Sequence, residues 1–272
     1  MLTYLVNTKT GKHFETDLSI EDRKRHLSTH YRMMTVDERI SYVREAQRLE
    51  KKYIRDKKLL DVHYISTSGN HDGYGMSGAT MRREMVKYGI YLNPRYTGQK
   101  VAFVYHIPSL GVEQIMSPKS LLYTMFESDK LPDEFIQPLQ DPSMVYTPAQ
   151  EVTNIFKQYR EDVGTIPLGY DQKVFKYIPR DWNNKDEFVM LHYDAFKHRK
   201  GWDILLNAYD QEFTAQDNVR LIFKTTLTNT PYLGDYRNIE VVRGKLPQKD
   251  LTALLARAHL FVYPTRGEGF GL

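Results

Sequence analysis

The sequence predicts an α/β protein built on parallel sheets, and three features carry that expectation. From residue 188 onward, apolar runs of strand length alternate with amphipathic helical segments, the pattern of strands joined by crossover helices. Upstream, an apolar run at 59–67 leads through a glycine-rich stretch into a helical pattern. At the far end, the apolar run 259–263 opens into P-T-R-G-E-G-F-G-L at 264–272, so a polar, glycine-rich segment begins where a parallel strand would stop. That edge is where open α/β sheets bind ligands.

Composition supports a globular chain. Its 272 residues are 41% hydrophobic, enough for a sizeable core in one large or two smaller domains. There is no cysteine, which removes disulfides and cysteine-based zinc sites and suits a reducing compartment. No apolar run reaches the roughly 18 residues of a membrane span, and residues 1–12 lack the apolar region of a signal peptide, so the expected location is cytoplasmic. The net charge of +4 is unevenly placed: residues 1–60 hold 14 Lys/Arg against 9 Asp/Glu, and residues 61–272 hold 24 against 25.

In chain order, residues 1–34 show little periodicity, with Tyr4, Leu5 and Val6 as their compact apolar cluster. A helix is expected from Thr35 to about Lys58. Thr35 is its N-cap, Glu38 completes a capping box, and Ile40, Val43, Ala46 and Leu49 recur at helical spacing. Residues 1–58 thus read as a basic, mainly helical extension. The face carrying Arg44, Arg48, Lys51, Lys52, Arg55, Lys57 and Lys58 is either a solvated surface or a site for nucleic acid or another acidic partner.

The strand at 59–67 is followed by a glycine loop at 68–78 and a helix at 79–88. Gly73, Gly75 and Gly78 form a G-x-G-x-x-G in a context that raises a dinucleotide site. The acid that would hold a ribose hydroxyl at the end of the next strand is missing from Y-L-N-P-R-Y-T at 91–97, which argues against a nicotinamide cofactor. Strands at 101–105, 121–125 and 144–146 and a helix at 150–159 follow, and the polar stretch 179–186 reads as a linker. Beyond it come strands at 188–193, 219–225 and 239–242 and helices at 201–213 and 248–258. The first of these helices carries Trp202, Leu205, Leu206, Tyr209 and Phe213 on one face.

That alternation brings Arg199, Lys200, Lys224 and Glu268 to the carboxyl ends of strands. Arg presents a planar fork and Lys a compact charge to phosphate oxygens, so the set suits a diphosphate leaving group. The segments R-K-G-W-D-I-L-L-N-A (199–208), L-I-F-K (221–224) and P-T-R-G-E-G-F-G-L (264–272) resemble the glycosyl transferases group 1, the family 4 retaining glycosyltransferases. So do the Gly73/Gly75 stretch, Y-T-M-F-E-S-D-K-L-P (123–132) and I-P-L-G-Y-D (166–171).

The resemblance implies a GT-B fold of two Rossmann-like domains, expected here at 59–178 for the acceptor and 179–272 for the nucleotide-sugar donor. It implies that Arg199 and Lys224, with Lys200 beside them, hold the donor diphosphate. The amides of Gly269, Phe270, Gly271 and Leu272 would contact donor sugar or phosphate, and Glu268 would hydrogen-bond the sugar. Gly73 and Gly75 would let the first domain close over the donor. His106, a lone histidine after the strand at 101–105, either faces the acceptor or is structural. Glu127 has a weaker claim, from its place in the M-F-E stretch. The family needs no metal and no cofactor beyond the sugar nucleotide. Its motif carries a second glutamate eight residues after the first, which this sequence does not reach, so the donor domain is expected to be incomplete. The competing expectation is a non-catalytic binding protein attached to nucleic acid or an acidic partner through residues 1–58.

Overall fold

The computed structural model describes residues 3–7, 13–16, 31–66, 73–179, 187–231, 233 and 238–271. The chain divides into two compact units, residues 1–102 and 103–272.

The first unit opens with β1 (Thr3–Asn7), β2 (His13–Thr16) and β3 (Tyr31–Met33), an antiparallel sheet in the order β2-β1-β3. These strands lie in residues 1–34, for which the sequence showed no periodic structure. The pairing of β1 with β3 joins residues more than twenty positions apart, such as Asn7 with Tyr31, and local periodicity carries no trace of so distant a partner. Helix α1 (Val36–Asp56) forms as its cap predicts: the Glu38 amide donates to Thr35 Oγ1 at 3.2 Å, and the Thr35 amide donates to Glu38 Oε2 at 2.9 Å. No residue of α1 is fully buried. It is tied to the later strand Ile90–Asn93 at Tyr91, whose hydroxyl donates to Glu50 Oε1 at 2.7 Å and whose ring meets Tyr53 edge to face.

After β4 (Leu60–Ser66), helix α2 runs from Gly73 to Met85, and β5 (Ile90–Asn93) follows through Gly89 at φ 78°. The expected glycine loop is therefore corrected in part. Residues 67–72 lie outside the described residues, while Gly73, Gly75 and Gly78 belong to the helix, and Gly78 is buried in it. A helical glycine costs about 1 kcal/mol against alanine, a weak preference that tertiary context overrides.

With β6 (Val101–Tyr105), β7 (Lys119–Tyr123), β8 (Met144–Thr147) and β9 (Val163–Thr165), the strands β4 to β9 make a six-stranded sheet of order β5-β4-β6-β7-β8-β9. The pairs β4–β5, β7–β8 and β8–β9 run parallel. Short helices α3 (Pro108–Gly111), α4 (Asp133–Ile136) and α5 (Gln150–Phe156) connect these strands. Strand β9 was not foreseen as a strand.

The second sheet contains β10 (Phe188–Tyr193), β11 (Val219–Lys224), β12 (Ile239–Val242) and β13 (Leu260–Phe261), with helices α6 (Trp202–Glu212) and α7 (Gln248–Arg257). Its order is β12-β11-β10-β13 and every pair is parallel. Alternation along β11 sets the layers. Leu221 and Phe223 pack with Leu205 and Tyr209 of α6 on one face, while Ile222 packs with Leu191 and with Leu254 of α7 on the other. Strand β13 is shorter than the expected 259–263, and Leu260 and Phe261 are about half exposed. The linker expected at 179–186 lies outside the described residues except for Pro179.

Candidate functional site

Taken in chain order, the four strands of the second sheet lie in the spatial order third, second, first, fourth, so the direction of growth reverses between β10 and β13. A crevice opens at such a reversal because the two following connections leave toward opposite faces. Asp194 comes directly after β10, and residues 262–271 follow β13.

The two connections hold each other closely. Gly201, at φ 71°, closes the 3-10 turn His198–Lys200 and starts α6, and a Cβ there would overlap the Pro264 carbonyl oxygen. The Arg266 amide donates to the Arg199 carbonyl at 2.7 Å, and the Arg266 guanidinium donates to both carboxylate oxygens of Asp203 at 2.9 and 2.8 Å. Arg199 Nη1 in turn donates to the Gly267 carbonyl.

Inside this frame sits a cluster of charges. Lys200 Nζ lies 2.5 Å from Glu268 Oε1 and 2.9 Å from Asp194 Oδ2, and donates to Tyr263 Oη at 2.7 Å. The tyrosine hydroxyl lies between the two carboxylates, 2.8 Å from Glu268 Oε1 and in hydrogen-bond contact with Asp194 Oδ2. Arg199 approaches Glu268 Oε1 at 2.9 Å through Nη1 and Glu127 Oε2 at 2.8 Å through Nη2. Thr265 Oγ1 donates at 3.2 Å toward Glu268 Oε1. The side chains of Lys200 and Glu268 are only 12% and 18% exposed, so these are partly desolvated pairs.

Burial pushes the Glu268 carboxyl up, but the hydrogen bonds from Lys200 and Tyr263 and the charges of Lys200 and Arg199 outweigh it and hold the group below its ordinary value. Burial, the hydrogen bonds to Asp194 and Glu268, and the charges of those carboxylates together drive the Tyr263 hydroxyl far above the usual tyrosine range, so it stays protonated. Beneath the cluster His192 is buried, with Nδ1 3.0 Å from the Val262 carbonyl; burial lowers its pKa and keeps it neutral.

The expected site residues divide accordingly. Arg199, Lys200 and Glu268 come together, and Glu127 joins them. Gly269 is buried against Met125, where a Cβ would come within 2.6 Å of Sδ; Phe270 is half-buried and Gly271 takes φ 79°. Leu272 lies outside the described residues.

Lys224 requires a correction. It closes β11 as expected, but it is 1% exposed, and its ammonium donates to the carbonyls of Thr225, at 2.7 Å, and Gly244. Burial lowers its pKa, and its hydrogen bonds among the described residues go to backbone rather than to the Arg199–Glu268 cluster. His106 follows β6 directly and is half-buried, with its Cβ against Gly111. Gly73 and Gly75 belong to α2 in the other unit.

No protein-family model matches the chain, and no curated protein matches it in sequence. The site is therefore read from its own chemistry. Sequence reasoning missed Asp194 and Tyr263. Asp194 carried the same signal as Arg199, a charged residue just past a strand, whereas Tyr263 was counted into the apolar run. Among the described residues, no group of three or more His, Cys, Asp and Glu side chains is arranged to hold a metal ion, and no helix is long and apolar enough to cross a membrane. An open cavity of about 500 Å³ between Lys173–Ile178 and α7 contains none of the cluster's residues.

Proposed function

We propose that the protein is a retaining glycosyltransferase of GT-B type, which moves a sugar from a nucleotide diphosphate sugar to an acceptor hydroxyl. The observation that carries the reading is the convergence of Arg199 and Lys200 on Glu268 at the reversal between β10 and β13. In this reading Arg199 and Lys200 meet the donor diphosphate, Lys200 taking the part first expected of Lys224. Glu268 accepts hydrogen bonds from the donor sugar, and His106 serves the acceptor. The bond from the anomeric carbon to the phosphate oxygen breaks as the acceptor oxygen bonds to the same face. The acceptor proton passes to the leaving phosphate, and a nucleoside diphosphate departs. Positioning and fixed positive charge supply the acceleration, with no protein nucleophile.

The test is a thermal-shift screen of UDP-, GDP-, ADP- and TDP-sugars, followed by a transfer assay with the sugar nucleotide that binds. A ligand at a hundred times its Kd adds about 2.7 kcal/mol to stability, a readily seen rise in Tm. One donor should raise the midpoint, Arg199→Ala should abolish the rise, and sugar should appear on an acceptor or in water. If no sugar nucleotide shifts the midpoint and none is consumed, the reading fails.

A further inference from the structure

Arg199 has carboxylates on both terminal nitrogens, and the two stand in different surroundings. Glu268 also contacts Lys200, Tyr263 and Thr265. Glu127 is 44% exposed, and among the described residues its one ion pair is the 2.8 Å contact to Arg199 Nη2.

The backbone beneath Glu127 is anchored independently of that pair. Phe126 meets Phe135 edge to face at 5.1 Å between ring centroids, and Phe135 is buried in α4. The Glu127 carbonyl lies so close to Gly267 that a Cβ there would overlap it. The Glu127 carboxylate is therefore free to swing away without moving its own main chain.

Charge decides what that swing is for. The cluster holds three carboxylates, Asp194, Glu268 and Glu127, against the two cations Arg199 and Lys200. Both cations are already matched by carboxylates, so a phosphate gains full contact with the terminal nitrogens of Arg199 by replacing one of those carboxylates. Displacing Glu268 would strand partly desolvated charges; displacing Glu127 returns an exposed carboxylate to water at little cost.

We propose that Glu127 is a displaceable anionic competitor. It occupies Arg199 Nη2 when no ligand is bound, and its exchange for a phosphate oxygen sets the affinity of the site for a diphosphate. This rests on the diphosphate reading of the site given above.

The experiment titrates the full chain with inorganic pyrophosphate and with UDP, GDP and ADP by calorimetry, comparing wild type, Glu127→Gln and Glu127→Asp. Far-UV circular dichroism and the unfolding midpoint establish that each variant is folded. Removing a competitor worth one partly exposed ion pair should tighten binding by about fivefold in Glu127→Gln. Glu127→Asp, which keeps the charge but shortens its reach, should fall between. Unchanged or weaker binding by a folded Glu127→Gln would overturn the proposal and make Glu127 a structural or ligand-binding residue, while leaving the diphosphate reading in place. If neither wild type nor Glu127→Gln binds any of the four probes, the diphosphate reading falls and the proposal with it.

Discussion

At Gly201 two demands meet: a φ of 71°, which side-chain-bearing residues rarely adopt, and a carbonyl of Pro264 where a Cβ would stand. Gly201→Ala should therefore cost about 3 kcal/mol of stability in urea unfolding, since left-handed strain alone is worth about 1–3 kcal/mol and the overlap adds to it. Wild-type stability in that variant would mean the two loops are not in contact at this point. Nearby, Asp203 makes a two-pronged pair with Arg266, whose hydrogen bonds pull its carboxyl down to about 2 from 3.8. A folded-state value below the unfolded one gives stability that is complete above the unfolded pKa and is lost as pH falls through the folded one. Asp203→Asn should accordingly flatten the acid limb of the stability curve between pH 3.8 and about 2, and leave its slope above that window unchanged. An unaltered acid limb would remove Asp203 as a contributor. Neither behaviour was legible in the sequence. Gly201 stood there as the start of a helix, and the partner of Asp203 lies 63 positions away, a distance no local pattern spans.

Strand β11 shows how far element-level reading goes. Its apolar run and its end at Lys224 were visible because central parallel strands are buried on both faces and read as continuous hydrophobic stretches. The direction of the last side chain was not, because its ammonium is received by the carbonyl of the next residue, Thr225, and by that of Gly244, twenty residues on. From the sequence, Lys224 was assigned to a diphosphate; in the fold it satisfies buried carbonyls beside the Tyr193 ring, 5.5 Å from its centroid. Lys224→Ala should therefore lose about 2–4 kcal/mol of folding stability through the cavity and the orphaned carbonyls. Chemical unfolding read beside diphosphate titration separates the two roles. Full stability with lost binding would restore Lys224 to the site. Helix α1 is the contrasting case, since the signals that fix its start, Thr35 and Glu38, lie three residues apart and were read directly. Strands β1 to β3 depend on long-range pairing and were not.

Over the whole molecule, the charges that would meet an anionic ligand are divided. The excess of Lys and Arg belongs to residues 1–60, while the cluster at Glu268 has one carboxylate more than it has cations. The alternation of strands and helices beyond residue 188 made the second parallel sheet foreseeable. The neutralisation of the cluster's cations was not, because Asp194 and Glu127, which face Lys200 and Arg199, are brought in by separate connections. That neutralisation bears on metal dependence. A divalent cation carried in with a donor diphosphate needs carboxylate oxygens with open coordination positions. Each carboxylate in the cluster already accepts from Lys200, Arg199 or Tyr263, and binding a metal there would force a cation to lose its partner in a partly desolvated setting, at about 3–5 kcal/mol. The favourable exchange is of Glu127 for phosphate on Arg199, which uses the protein's own cations. Diphosphate affinity measured by calorimetry should therefore be the same after dialysis against EDTA as in the presence of Mg2+ or Mn2+. If EDTA abolishes binding and Mg2+ restores it, the carboxylates release their cations to take the metal, and Arg199 and Lys200 are not the groups that neutralise the phosphates.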